Sequence, residues 1–316
     1  MVLCSRSTTF VCNMTPRTPT LLVITGPTGV GKTAVAIEVA RQIGCDIVNA
    51  DSRQVYRDLP IGTAAPTAAE RALVPHHLVG FLPLEAQYSA AQYEADVLAL
   101  LPQLWQRAPV AVLCGGSMLY VDAVCRGIDE LPTISAEVRE AVRDKLAREG
   151  LDALVDELRA LDPDYCATLD LHNTRRVAHA VEICRQAGVP YSSLRTGQAK
   201  QRPFNIVKVG LNMAREELFD RINRRVDAMI AAGLEQEAQR VYALRHLNAL
   251  NTVGYKELFA MMDGTMSRQV AIERIKKNTR VYAKKQLTWY RRDPLIEWQH
   301  PSGAAQAIIR RLQQVL

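Results

Sequence analysis

The feature that most constrains the fold is a glycine-rich octet placed between a short apolar run and a helical pattern. The octet matches G-x-x-x-x-G-K-T, the phosphate-binding loop or P-loop. Residues 21–25 before it are apolar and strand-sized, and residues 34–43 after it have helical periodicity. This context favours a phosphate site over an incidental glycine-rich turn. The octet consists of Gly26, Pro27, Thr28, Gly29, Val30, Gly31, Lys32 and Thr33.

Such a loop holds phosphate oxygens in several ways at once. Its glycines let backbone N–H groups converge on the anion, and the following helix start adds positive potential. Lys32 supplies a point charge, and the Thr33 hydroxyl can ligate Mg²⁺. The octet therefore predicts a pyrophosphate site with Mg²⁺ at Thr33, but it specifies no nucleoside.

The rest of the core is predicted from alternating strand and helix patterns. Strands are expected at residues 46–50, 78–81, 110–114 and 205–211, and a helix capped by Ser89 is expected over residues 89–107. A long final helix is expected over residues 267–292. Strands that alternate with helices indicate a parallel sheet flanked by helices, an α/β fold of the P-loop NTPase type.

One segment lacks strand patterns altogether. Residues 132–203 contain three helical stretches, at 135–149, 151–161 and 173–187, the last closed by Gly188 and Pro190. Since a strand follows, we predict an all-helical insertion domain between the two parts of the catalytic core, residues 20–131 and 204–316, with a cleft between two lobes. Residues 1–19 are expected to be a disordered lead-in, with Met14 a possible alternative start.

Composition excludes several classes of protein. The seven cysteines are odd in number and scattered, which indicates a reducing cytoplasm and no structural metal. No apolar run approaches the roughly 20 residues that cross a bilayer, so no membrane insertion is expected. The six histidines lack metal-ligand spacing, and His76-His77 is more typical of a strand edge. The net charge of +6 suits a polyanionic partner without requiring one. No obligate protein partner is indicated.

Candidate catalytic residues follow two of the predicted strands. Strand 110–114 ends in Gly115-Gly116-Ser117, without the acid that nucleotide-hydrolysing P-loop enzymes carry there. Asp51 ends strand 46–50 near the phosphate loop and is the best candidate for a general base. Alternatively, it caps a helix that starts at Ser52. Ser117 is expected either to approach a ligand or to cap the following helix.

Basic residues supply two further candidates. Arg139 lies in the predicted insertion, where its planar guanidinium suits a phosphate, although an exposed arginine in a charged helix is usually only solvated. The long final helix carries a stripe that can follow a phosphate backbone for about 20 Å, and Ile275, Tyr282 and Trp289 are expected to pack on the core. The alternative is a solvated basic face. The stripe consists of Lys277, Arg280, Lys284 and Arg291, among nine basic residues at 268, 274, 276, 277, 280, 284, 285, 291 and 292, against one acid at 273.

Ordered motifs along the chain resemble those of the tRNA dimethylallyltransferase (IPP transferase) family. These motifs are GPTGVGKT at 26–33, DSRQVY at 51–56, GTA at 62–64, PHH at 75–77, YSA at 88–90, GGSMLY at 115–120, NTVGYK at 251–256 and KQLTW at 285–289. The chain departs from the family pattern at Ala65, where a lysine is common, and at Val281, where an arginine or asparagine is frequent. It lacks the zinc-finger segment that eukaryotic relatives often append, so a bacterial type is expected.

The resemblance implies transfer of the dimethylallyl group from dimethylallyl pyrophosphate to N6 of the adenosine at tRNA position 37, with release of pyrophosphate. Asp51 would accept the N6 proton, because that nitrogen is a poor nucleophile. Lys32, Mg²⁺ on Thr33, and Arg139 would stabilise the charge of the leaving pyrophosphate, and Ser117 would contact the substrate. The missing acid after strand 110–114 fits a family that cleaves no nucleotide.

The resemblance also implies contacts with the tRNA anticodon stem-loop. The target adenine would be extruded into the cleft, with its edge held by the residues from Asp51 to Gln54. The implied tRNA-binding residues are Asp51, Ser52, Arg53, Gln54, Ser117, Arg139, Asn173, Arg175, Arg176, Thr252, Val253, Gly254, Tyr255, Lys256, Arg280, Lys284 and Lys285.

Three other functions compete with this one. A small-molecule or nucleotide kinase is favoured by the P-loop but disfavoured by the basic final helix and the lack of an arginine-rich lid. A guanine-nucleotide switch is disfavoured by the absence of an N-K-x-D motif. A passive RNA-binding protein is disfavoured by the placement of Asp51.

Overall fold

In a computed structural model, the described part of the chain is residues 18–315. Residues 1–17 of the predicted disordered lead-in at 1–19, which include Met14, therefore lie outside the described residues. Six strands form one sheet: β1 (Thr20–Thr25), β2 (Ile47–Asn49), β3 (His76–His77), β4 (Val110–Cys114), β5 (Asn205–Leu211) and β6 (Ile296–Gln299).

Helices connect the strands. They are α1 (Lys32–Ile43), α2 (Ala68–Leu73), α3 (Ala90–Trp105), α4 (Met118–Arg126), α5 (Ala136–Leu161), α6 (Pro163–Thr168), α7 (Thr174–Ala187), α8 (Tyr191–Leu194), α9 (Arg215–Ala231), α10 (Leu234–Val241), α11 (Tyr255–Met262), α12 (Arg268–Tyr290) and α13 (Ala304–Val315). As predicted, Ser89 caps α3, where its side chain accepts the N–H of Gln92. Ser267 caps α12 in the same way. No described helix is long and apolar enough to cross a membrane.

The sheet is parallel throughout, in the order β3-β2-β4-β1-β5-β6, which confirms the predicted α/β class. From β1 the chain continues to β2 on one side, whereas β5 pairs with β1 on the other side. Open α/β sheets bind ligands beyond the carboxyl ends of their strands where the strand order reverses in this way. The loops after β1, β4 and β2 leave the sheet at that edge, on adjacent strands.

The central strand β1 is buried because helices cover both faces of the sheet. Leu21 and Val23 belong to one apolar cluster and Leu22 and Ile24 to the other, and all four are 0% exposed. This alternation follows from the two-residue period of a strand, and each such side chain contributes about 1.5–3 kcal/mol on burial. The phosphate loop is therefore anchored to the most buried strand of the core.

Two compact units divide the chain. One comprises Met1–Cys125 with Arg202–Leu316 and contains the sheet; the other is Arg126–Gln201, where the sequence predicted an insertion at residues 132–203. Within the second unit, helices α5 to α8 enclose their own apolar cluster. Gly150 has φ 83° and ψ −179°, so α5 is broken there into the two helices predicted at 135–149 and 151–161. Gly188 ends α7 in the left-handed conformation, also as predicted.

Three strand predictions need correction. The strand predicted at residues 78–81 is wrong: β3 is the histidine pair, at the edge of the sheet, and the left-handed φ of 59° at Leu78 ends the extended backbone. The strand predicted at residues 46–50 is shorter, at Ile47–Asn49. The sequence patterns also predicted no strand or helix after the long final helix. In the structure, β6 and α13 follow it, and β6 pairs with β5.

Candidate active site

Three loops meet at the carboxyl edge of β1, β4 and β2. The loop after β4 lies close to both neighbours, because the N–H of Gly115 donates to Ile24 O at 3.2 Å and the N–H of Ser117 donates to Ala50 O at 3.0 Å. A Cβ at Gly115 would lie 2.1 Å from Ala50 O, so this approach requires glycine. The sheet thus brings the predicted phosphate loop, the Asp51 loop and the Gly115-Gly116-Ser117 loop together.

The phosphate loop has the geometry its glycines predict. Gly26 has φ 139°, and a Cβ there would lie 2.4 Å from Leu211 O. At Gly31, the N-cap of α1, no side-chain hydrogen bond caps the helix, so first-turn N–H groups are left for an anion. Lys32 Nζ donates to Gly26 O at 3.0 Å and Pro27 O at 2.9 Å. Burial lowers the pKa of Lys32 to about 8.

A polar cavity of about 580 Å³ opens beside this loop. Gly29, Gly31, Lys32 and Thr33 line it together with Asp51. Three arginines of α9 also line it, which the sequence analysis missed: Arg221, Arg224 and Arg225. The cavity therefore gathers four cations around a loop built to bind phosphate, which suits a dianion or trianion.

The arginines do have a sequence signal. They stand at positions i, i+3 and i+4, a spacing that places side chains on one helical face. Arg221 Nε donates to Gly29 O at 3.1 Å, and Arg225 donates to Thr63 O at 3.5 Å. Burial lowers the pKa of Arg225, with Asp51 acting in the opposite direction. A guanidinium in this position favours an anionic ligand as its counter-charge.

A second cavity, of about 320 Å³, adjoins the first and is more apolar. Its apolar wall comes from α9, α10 and α12: Ile222, Val226, Met229, Leu234 and Ile275. Its volume falls at the lower end of the range for small-molecule sites. Both cavities share four residues, Thr28, Asp51, Arg225 and Tyr282. The site can therefore hold a molecule with an anionic head and an apolar tail, with Asp51 where the two meet.

Asp51 occupies a tight turn. Its Oδ1 accepts the N–H of Arg53 at 2.9 Å and the N–H of Gln54 at 3.4 Å. The alternative that Asp51 caps a helix is wrong, because a turn follows it and the next described helix, α2, begins at Ala68. An ionised carboxylate has about four acceptor positions, so the turn leaves capacity for a ligand.

The other residues of the Asp51 loop are held from several sides. Ser117 is 7% exposed, and its Oγ accepts the N–H of Ser52 at 2.8 Å and donates to Ser52 Oγ at 2.9 Å. Its hydroxyl therefore positions Ser52, which lines the apolar cavity. Arg53 donates to Asn248 O, and Gln54 donates to Thr63 O at 3.1 Å. These contacts leave the loop little freedom.

The predicted 252–256 segment contains four residues that line a cavity and one that is buried in the core. Thr252, Val253, Gly254 and Lys256 line the apolar cavity. Tyr255 is 0% exposed and its hydroxyl bonds to Glu237, so the prediction that it contacts tRNA is wrong for its side chain. Gly254 and Lys256, its immediate neighbours, give no sign of a core position, which made a buried tyrosine hard to recognise.

On α12 the structure changes the predicted face. Ile275 is buried and Trp289 partly buried, but Tyr282 is 38% exposed and lines both cavities, so its predicted packing in the core is wrong. The buried seam instead contains Ala283, Gln286 and Tyr290. Ile272 and Ile275 belong to the same face, because they lie eleven residues, about three helical turns, before Ala283 and Gln286.

The basic residues of α12 differ in their contacts. Arg280 Nη1 donates to Asn223 Oδ1 at 2.5 Å, and the Lys284 ammonium lies 5.6 Å from the centre of the Phe219 ring. Lys284 and Lys285 are exposed. Arg268 and Lys276 form ion pairs with Glu235 and Asp227, so part of the basic charge is already balanced.

The remaining predicted residues lie in the unit Arg126–Gln201. Arg139 is in the first turns of α5, and Asn173 caps α7, where its side chain accepts the N–H of Arg176. Arg175 and Arg176 are exposed in the first turn of α7, which contains no acid. The N-terminal end of a helix dipole is positive, and the charges of Arg175 and Arg176 add to it, so this turn attracts anions strongly.

The sheet topology, the loop after β1 and the cavity it lines define a P-loop-type α/β protein. The IPP transferase family model matches residues 54–293. The chain is 52% identical over 296 residues to tRNA dimethylallyltransferase 2 of Parabacteroides distasonis, covering 94% of this chain and 99% of the relative. It is 55% identical over 282 residues to tRNA dimethylallyltransferase 1 of Phocaeicola vulgatus, covering 89% and 94%.

Solved structures agree. The tRNA isopentenylpyrophosphate transferase of Bacillus halodurans superposes with a TM-score of 0.70 at 34% identity, covering 94% of this chain and 96% of that one. A eukaryotic dimethylallyltransferase acting on tRNA gives a TM-score of 0.75 at 26% identity, covering 86% of this chain and 70% of that one. The chain belongs to the IPP transferase family, of bacterial type.

Proposed function

We propose that this protein transfers the dimethylallyl group of dimethylallyl pyrophosphate to N6 of the adenosine at tRNA position 37, in the cytoplasm, and releases pyrophosphate. The observation that carries the proposal is the pair of adjoining cavities, one polar and one apolar, that meet at Asp51 and Arg225. A prenyl pyrophosphate has the matching form, a charged head joined to a short apolar tail. The relatives named as tRNA dimethylallyltransferases support the choice of donor and acceptor.

In this proposal the polar cavity receives the pyrophosphate. The C1–O bond breaks as the C1–N6 bond forms, so negative charge grows on the leaving oxygens. Lys32, Arg221 and Arg225 surround that position and stabilise the charge. Because these cations are already fixed by the P-loop and α9, little reorganisation is needed during the reaction.

Asp51 accepts the proton that N6 loses as the new bond forms. It lies where the two cavities meet, so an adenine that enters the apolar cavity presents its amino group beside both the Asp51 carboxylate and the donor carbon. The adenine must leave its stacked position in the anticodon loop to reach this site. Thr252, Val253 and Lys256, on the cavity rim, are positioned to hold it.

The polar cavity also fits Mg²⁺. Thr33 lines it together with Asp51, and oxygen donors are the ligands that this ion prefers. No group of three His, Cys, Asp or Glu side chains that could hold a metal occurs among the described residues. Thr33 and pyrophosphate oxygens would therefore share the ion, which supplies positive charge to the leaving group when bound.

The tRNA would contact cations of α12, with the exposed Lys284 and Lys285 and the partly buried Arg280 on phosphates of the anticodon stem-loop. In the second unit, Arg139, Arg175 and Arg176 are further candidates for the nucleic acid or the pyrophosphate.

The test is to mix the protein with an anticodon stem-loop RNA and labelled dimethylallyl pyrophosphate, without ATP. Label is expected on adenosine, with one pyrophosphate released per transfer. Absence of label there, together with phosphoryl transfer from ATP in a parallel assay that contains ATP, would indicate a kinase instead.

A second experiment concerns Asp51. We expect Asp51→Asn to bind the RNA normally and to lose about 10²- to 10⁴-fold in kcat, the usual contribution of a general base. Asp58→Asn is the control, since Asp58 is an exposed carboxylate seven residues further along the same loop. If Asp51→Asn turns over as fast as the control, Asp51 is not the base.

A further inference from the structure

Gln286 of α12 joins two loops of the candidate active site through one side-chain amide. Its Oε1 accepts the N–H of Thr28 at 2.8 Å, and its Nε2 donates to Gly116 O at 2.9 Å. The side chain is 2% exposed. A backbone N–H only donates and a carbonyl only accepts, so these partners fix the amide in a single orientation.

The two loops are those that hold the chemistry. Thr28 is the third residue of the phosphate loop and lines both cavities. Gly116 precedes Ser117, whose hydroxyl bonds to Ser52 beside Asp51. Hydrogen bonds therefore run from α12 to the phosphate loop in one direction and toward the Asp51 loop in the other.

The opposite side of the same helix turn faces solvent. Lys284 and Lys285, immediately before Gln286, are exposed, and Arg280 lies one to two turns earlier. Lys284 and Arg280 both rest on the Phe219 ring of α9, the helix that carries Arg221 and Arg225. Since a helix turn is stiff, a ligand that fixes these cations also fixes the amide on the inner side.

We propose that Gln286 is a positioning residue that couples RNA bound on the outer face of α12 to pyrophosphate bound by the phosphate loop. RNA that fixes this helix turn holds the Gln286 amide against Thr28 and Gly116, and so keeps the phosphate loop in the conformation that binds the anion. Binding of either ligand then strengthens binding of the other by the same factor, as linkage requires. The inference rests on the proposed function, in which RNA and pyrophosphate bind together.

The experiment measures the Kd of inorganic pyrophosphate by calorimetry, with and without saturating anticodon stem-loop RNA. For the wild-type protein we expect RNA to lower this Kd by about fivefold or more, the range typical of coupled sites. In Gln286→Met, which keeps the length of the side chain but not its amide, we expect the ratio to fall to about one. A purely structural role would lower the unfolding temperature without changing this ratio.

A second variant reaches the same contact from the other side. A Cβ at Gly116 would lie 2.4 Å from Gln286 Nε2, so Gly116→Ala displaces the amide while Gln286 remains. It should lose the coupling as Gln286→Met does, and it decides the question if the Met variant does not fold. Ile308→Ala, in a 2% exposed position of α13, is the control for general loss of stability and should keep the coupling.

Wild-type-like coupling in either folded variant overturns the proposal, as does a wild-type ratio of one. These outcomes are separable from failure of the proposed function. If the proposed function fails, the wild-type protein transfers no label to adenosine. If only the Gln286 proposal fails, label is transferred, but the substitutions do not change the effect of RNA on the pyrophosphate Kd.

Discussion

The Tyr255 hydroxyl donates a 2.6 Å hydrogen bond to Oε1 of Glu237, and both side chains are 0% exposed. Glu237 also accepts the N–H groups of Ile61 at 2.9 Å and Gly62 at 2.7 Å. A Cβ at Gly62 would lie 2.4 Å from the Tyr255 hydroxyl, so glycine is required for this approach. One buried carboxylate thereby fixes the loop that forms part of the apolar cavity.

We expect Tyr255→Phe to destabilise the protein by about 1–3 kcal/mol, because it removes a charge-assisted hydrogen bond to a buried carboxylate and leaves Oε1 of Glu237 with the Gly62 N–H alone. Burial, reinforced by the charge of Glu237, raises the pKa of Tyr255, so the hydroxyl remains a donor across the physiological pH range. Urea unfolding measures the change. Tyr242→Phe is the matched control, since that hydroxyl also bonds a carboxylate, Asp263, but at the surface. An equal loss in both variants would show that burial of the Glu237 contact contributes nothing.

The phosphate site could be predicted from sequence because its signal is local. Glycines at fixed spacing between a strand and a helix determine the loop, and the strand end that places Asp51 beside it follows from the parallel topology. Glu237 could not be predicted in this way, since its partners are Tyr255 and two backbone N–H groups about 175 residues away. A contact between such distant residues leaves no pattern in a single sequence.

Lys32 should make donor affinity depend on pH. Burial lowers its pKa to about 8, so the free enzyme carries the ammonium below that pH and loses it above. A phosphate monoester has lost its second proton above about pH 7, so the charge on the donor is nearly constant in this range. We expect the Kd of dimethylallyl pyrophosphate, measured without RNA, to rise between pH 8 and 9.5.

Lys32→Arg provides the comparison, because a guanidinium stays charged throughout this range. Its Kd should be nearly independent of pH from 7 to 9.5, even if the affinity itself is lower. A wild-type Kd that is equally flat would mean that Lys32 keeps its proton, and that its burial does not govern donor binding.

The apolar wall should limit the length of the donor tail. Met229 lines this cavity, and Met229→Ala would lengthen the space available to a prenyl chain. We expect the ratio of kcat/KM for geranyl over dimethylallyl pyrophosphate to rise about tenfold, as is usual when a methylene group or more is removed from a hydrophobic pocket. Competition between the two donors measures the ratio. Met262→Ala is the control, since Met262 packs against the same core but is absent from the cavity wall.

The two faces of α12 show where sequence periodicity fails. Ile275, Tyr282 and Trp289 recur every seven residues, yet the buried seam passes through Ile275, Ala283, Gln286 and Tyr290. Hydrophobicity cannot identify this seam because Gln286 is buried for its hydrogen bonds, while Tyr282 is exposed on a cavity wall. The arginines at i, i+3 and i+4 of α9, by contrast, form a pattern in the sequence, but the sequence does not show that they face the phosphate loop.

RNA affinity should depend on those basic residues of α12 that form no ion pair within the described part of the chain. Each phosphate contact steepens the fall of log K with log salt, so removing one lysine should reduce the slope by about one. We expect Lys284→Ala to do so, since Lys284 is exposed and rests on the Phe219 ring. Arg268 is the matched control on the same helix, because its guanidinium lies 2.6 Å from Glu235. The measurement is stem-loop RNA binding from low to moderate salt. An equal change of slope in Lys284→Ala and Arg268→Ala would assign the RNA affinity to overall charge rather than to a defined face of α12.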